Sequence, residues 1–130
     1  MKVWNAYGSE HSSRIVLIGR FKDETGRQRF LKDFNFIADC VAKMDNVYDM
    51  DVETFPRELH DALMGGKVCG GQILTPDDCK GFAFERPEAD GELGVKIESN
   101  EYDWNGVIKL LVENGAKVEV FSEHSYPQEP

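Results

Sequence analysis

The tetrapeptide Ser-Glu-His-Ser occurs twice in this 130-residue chain, as Ser9–Ser12 and as Ser122–Ser125. Each copy sets a carboxylate beside an imidazole, Glu10 with His11 and Glu123 with His124. Histidine titrates near neutral pH and a neighbouring carboxylate can fix its tautomer, so such a pair can move protons. Two imidazoles and two carboxylates brought together could also hold a divalent metal. His11, His124, Glu10 and Glu123 are therefore the catalytic candidates, and His11 and His124 the metal-ligand candidates. The competing explanation is two solvated loops that share a tetrapeptide by chance. The third histidine, His60, stands beside Asp61 in a helical context and reads as an exposed helix residue.

A second pattern suits binding rather than catalysis. Between residues 45 and 61 lie Asp45, Asp49, Asp51, Glu53, Glu58 and Asp61, opposed only by Arg57, with Tyr48 and Phe55 interleaved. Carboxylates steer a basic protein into contact and aromatic side chains anchor it. Asp45, Tyr48, Asp49, Asp51, Glu53, Phe55 and Glu58 are the partner-binding candidates, as in a small inhibitor or immunity-type protein acting on a basic partner. The chain as a whole has 24 acidic and 15 basic residues, a net charge of −9 and a pI near 4.8. That balance argues against nucleic acid and against an anionic membrane surface, each of which needs a local basic patch. The main basic stretch runs from Arg14 to Lys32, where six basic residues meet two acidic ones.

Other motifs carry less. The three cysteines form no Cys-x-x-Cys pair, no leader-like apolar run follows Met1, and nothing reaches membrane-spanning length. A reducing, cytoplasmic setting is expected. His60 with Cys69 and Cys79 matches no zinc spacing. Gly65 to Gly71 holds four glycines but lacks the Gly-Lys-Ser/Thr ending of a phosphate loop, and no cofactor motif is present. Lys80-Gly81-Phe82-Ala83-Phe84 resembles the start of the aromatic strand motif of the RNA recognition family, whose aromatics stack bases on a four-stranded sheet. The likeness ends at Glu85 and Pro87, and the two phenylalanines read instead as core residues of a strand.

The elements that must position these groups follow from periodicity. Residues 2–7 have strand composition, and Arg14–Phe21 contains Ile15-Val16-Leu17-Ile18, apolar on both faces as a central strand is. From Asp23 a helix is expected with Phe30, Phe34, Ile37, Val41 and Met44 on one stripe. Thr54, Pro56, Leu59 and Leu63 mark a short second helix that ends at Gly65-Gly66. Thr75-Pro76-Asp77-Asp78 has the form of a capping box. Strands are expected over Phe82–Phe84 and Leu93–Ile97, then a helix capped at Asn100 with Trp104, Val107, Ile108 and Leu111 inward and Gly115 after it. Lys117–Ser122 is the last strand.

This order predicts an α+β, ferredoxin-like (βαββαβ) antiparallel sheet. It carries an extra N-terminal strand and a short helical insert between the first helix and the second core strand. Residues 1–126 form one domain and 127–130 a polar tail. The first and last core strands should be antiparallel neighbours, the last at the edge, which brings both Ser-Glu-His-Ser copies to one end of the sheet. Val16 and Ile18 should face away from the helices, on a surface closed by the insert or by homodimerisation.

Overall fold

The computed structural model describes residues 2–4, 14–44, 55–83, 86–99 and 104–123. Strands β1 (Lys2–Trp4) and β2 (Arg14–Arg20) precede helix α1 (Glu24–Ala42). Two short helices follow, α2 (Arg57–Met64) and α3 (Pro76–Lys80), with single 3-10 turns at Gly71–Ile73 and Gly81–Ala83. The chain then forms β3 (Glu88–Ala89), β4 (Gly94–Ser99), α4 (Asn105–Glu113) and β5 (Lys117–Glu123).

Local chemistry explains most of these boundaries. Asp23 Oδ1 accepts a hydrogen bond from the Gly26 N–H at 2.9 Å and starts α1. Phe30, Phe34, Ile37 and Val41 then recur at helical spacing, and all four are buried. In α3 both arms of the capping box are made. Asp78 N–H donates to Thr75 Oγ1 at 3.1 Å, and Thr75 N–H donates to Asp78 Oδ2 at 3.0 Å. Gly115, with φ +84°, follows α4 and turns the chain into β5.

The spatial order is β1-β5-β2-β4-β3. Four strands, β3-β4-β2-β5, run antiparallel to their neighbours, and β1 adds to β5 in parallel. The fold is therefore α+β, built on a four-stranded antiparallel sheet with four helices among the described residues. The last strand is not at the edge as expected, because β1 flanks it. Ile15, Leu17, Val95, Ile97, Val118 and Val120 face one core shared with both long helices. On the opposite face Val16 is buried, and Ile18 and Phe121 are half-buried.

A ladder of rings ties α1 to the rest of the core. Phe21, Phe30, Phe34 and Phe82 lie 5.5, 5.8 and 4.9 Å apart in succession, centroid to centroid. Burying each such ring stabilises the fold by about 2–3 kcal/mol. Phe82 does this from a 3-10 turn, not from the strand expected there, and the second core strand forms later, at the exposed pair Glu88–Ala89. A base-stacking strand over 80–84 is thereby excluded for Lys80–Ala83; Phe84 lies outside the described residues.

Candidate functional site

In sequence, one Ser-Glu-His-Ser copy precedes β2 and the other begins at Ser122, within β5. These strands pair antiparallel with Arg14 opposite Glu123 and Ile15 opposite Ser122. The chain thus enters β2 and leaves β5 at the same end of the sheet. Glu10, His11 and His124 lie outside the described residues, and of Glu123 only the backbone pairing is described. Among the described residues no group of three His, Cys, Asp or Glu side chains is arranged to hold a metal ion.

Asp45, Tyr48, Asp49, Asp51 and Glu53 also lie outside the described residues. The two ends of their segment are anchored. Met44 at its start and Phe55 at its end are half-buried and pack against the hydrophobic core. Glu58, exposed on α2, takes an ion pair from Lys43 at 3.4 Å, which ties the start of α2 to the end of α1. Asp61 meets Arg57 at 3.9 Å and His60 Nδ1 at 3.4 Å, so the acids of α2 have local partners. His60 is exposed, as expected, with the Phe55 ring edge-on at 6.5 Å between centroids.

Four glycines between Gly65 and Gly71 suit a loose connector, yet this loop is built into the fold. Buried Asp33 reaches from α1 and accepts the Cys69 N–H at 3.0 Å. Burial pushes the Asp33 carboxyl above its ordinary value of 3.8, while the Cys69 N–H and the charges of Arg29 and Lys32 pull it down. Gly70 adopts φ +72°, and the Glu113 side chain of α4 lies directly over it, where any Cβ would collide. Cys69 Sγ donates to the Glu113 carbonyl at 3.6 Å.

Between this loop, the end of α2 and the end of α4 is a depression of about 270 Å³. Leu63 and Val68 lie at its base, buried; Cys69, Gln72, Ile73 and Glu113 stand round it. The large apolar side chains exposed among the described residues are Met64, Ile73 and Val112. Each either lines the depression or adjoins a residue that does. The exposure of Val112 could be read from the run Leu110-Leu111-Val112, since three successive residues cannot share one helical stripe.

The thiols differ sharply. Cys40 and Cys79 are buried and Cys69 is half-exposed, and all three are free. Burial, then the charge of Asp78, pushes the Cys79 thiol up to about 12. Burial and the charge of Glu58 raise Cys40. Cys79 and His60 are not gathered with Cys69 into a ligand set.

No helix among the described residues is long and apolar enough to cross a membrane. No curated protein and no solved structure matches the chain. Residues 1–130 match a family described as a family of unknown function (DUF6375), and the chain belongs to that family.

Proposed function

We propose that this protein is a ferredoxin-like domain that binds a basic protein partner, in the manner of a small inhibitor or immunity protein. The connection order β2-α1-β3-β4-α4-β5 with the spatial order β3-β4-β2-β5 supports the fold assignment. The reading takes residues 1–126 as the domain and 127–130 as a tail. Three free thiols fit a reducing, cytoplasmic compartment.

One observation carries the binding role. The segment holding Asp45, Asp49, Asp51 and Glu53 is tethered at both ends by Met44 and Phe55, which pack on the core. Carboxylate charge carried between two residues fixed to the core accelerates encounter with a basic surface. The test is affinity capture from the native cell extract at low and high salt, with the wild type and with D45N/D49N/D51N/E53Q. A stoichiometric basic partner, released by salt and lost by the quadruple variant, is the expected result. Recovery of the protein alone, or of another copy of itself, would sink the reading.

A second reading rests on the pairing of Arg14 with Glu123, which supports a shared site for His11 and His124 at one sheet end. It requires that His11→Ala and His124→Ala remove ligand or metal binding while leaving partner capture intact. Isothermal titration with divalent metals reads this directly.

A further inference from the structure

We infer that the depression between the Gly65–Gly71 loop, α2 and α4 is the anchor point for that partner. Its occupant is a segment with one large apolar side chain next to a lysine or arginine. This rests on the basic-partner reading and adds the place and chemistry of contact.

The apolar half of the recognition is on the surface already. Ile73 is exposed at the edge of a cavity whose base is Leu63 and Val68, and Met64 and Val112 are exposed at the helix positions next to the lining residues Leu63 and Glu113. A large side chain moved from water into the cavity contributes about 1.5–3 kcal/mol. The charged half is Glu113. Nearby lysines are engaged within the protein: Lys67 sits over the Phe36 ring at 4.4 Å, and Lys109 donates to Asp78 at 2.7 Å and to the Ile73 carbonyl at 3.4 Å. Glu113 has no ion-pair partner among the described residues, and Gly70 beneath it leaves its carboxylate at the rim. Neither lysine lines the depression, and Glu113 is the charged side chain that does, which selects a cationic neighbour for the apolar anchor.

The site is also firm, because Asp33 fixes the loop to α1 through the Cys69 N–H. Segment 45–54 leads into α2 and the depression begins where α2 ends, about 12 Å along an eight-residue helix. On this reading the acids guide the approach and the depression holds the anchor.

The test selects short random peptides displayed on phage against the immobilised full-length protein. Selected peptides should pair Leu, Ile, Met or Phe with Lys or Arg, and should protect half-exposed Cys69 from iodoacetamide. Ile73→Glu should weaken them by about tenfold or more, equivalent to about 1.4 kcal/mol. Glu113→Lys should shift selection towards acidic peptides. Both positions are exposed, and circular dichroism checks that each variant stays folded.

Failure to select any peptide, or selection of peptides that leave Cys69 reactive and bind Ile73→Glu as tightly as wild type, overturns the proposal. Basic peptides that ignore Ile73→Glu but are lost by D45N/D49N/D51N/E53Q would leave the basic-partner reading standing and remove the anchor. Apolar peptides without basic residues that still protect Cys69 would remove the basic partner and the role of Glu113.

Discussion

Asp33 shows how one side chain can both hold a loop and burden the fold. Asp33 is 4% exposed and its carboxylate accepts the Cys69 N–H, yet burial raises its pKa, so the charged form is less favoured in the fold than in the unfolded chain. An acid whose folded pKa lies above its unfolded value destabilises the native state at neutral pH. Stability is recovered as the pH falls through the raised folded pKa towards the ordinary value of 3.8. Asp33→Asn keeps an acceptor for Cys69 and removes the charge. Urea unfolding should find it at least as stable as wild type at pH 7, with the difference shrinking as the pH falls towards 3.8. Asp33→Ala leaves the loop N–H unpaired and should lose about 1–3 kcal/mol. If Asp33→Asn is as destabilising as Asp33→Ala, the charge itself is what holds the loop. The thiols give a second residue-scale outcome. Buried Cys79, with its pKa near 12, and buried Cys40 should stay unreacted in the native state. Iodoacetamide should label Cys69 alone, and all three in denaturant, as read by mass spectrometry. Native labelling at Cys79 would contradict the packing of α3.

Asp78 and Gly106 decide how α3 and α4 fit together. Asp78 closes the capping box and receives Lys109 at 2.7 Å while nearly buried, and Gly106 lets the backbone of α4 pass against the Asp78 carbonyl. Alanine is the better helix former by about 1 kcal/mol. Gly106→Ala should nevertheless lose about 1–3 kcal/mol in urea unfolding, because its methyl would meet that carbonyl. A neutral or stabilising result would mean that α4 can shift without loss. The same elements show which patterns a sequence displays openly. Thr75 with Asp78, and Phe30 through Val41, carry local signals that need no tertiary context, and both appear as read. Phe82 does not, since alternation of two aromatics over three residues suits a strand or a tight turn equally. Contact with Phe34 at 4.9 Å decides for the turn. Glu88–Ala89 is too short and too exposed to show any pattern. α4 starts after Trp104, which makes no side-chain cap bond, and Asn100, the cap expected, lies outside the described residues. The depression was hidden for a related reason: Ile73, Glu113 and Cys69 meet only through folding.

At the scale of the whole sheet, the pairing of β2 with both β4 and β5 follows from the double apolar face of Ile15–Ile18, which only a central strand can bury. The position of β1 could not be read, because a three-residue strand has no register signal of its own and takes its place from the edge it meets. That edge matters for solubility. β5 runs seven residues, and β1 occupies its outer side opposite Glu119, Val120 and Phe121. An uncovered strand of this length is a template for pairing with another chain. Deleting residues 1–4 removes only a few ladder hydrogen bonds, about 1–3 kcal/mol at roughly 1 kcal/mol each. It should do more to association than to stability, giving a modest fall in melting temperature and a concentration-dependent increase in mass by sedimentation. The fused core of β2, β4, β5, α1 and α4 should keep its cooperative unfolding. A truncated protein that stays monomeric at every concentration would show that β5 does not depend on β1 for protection.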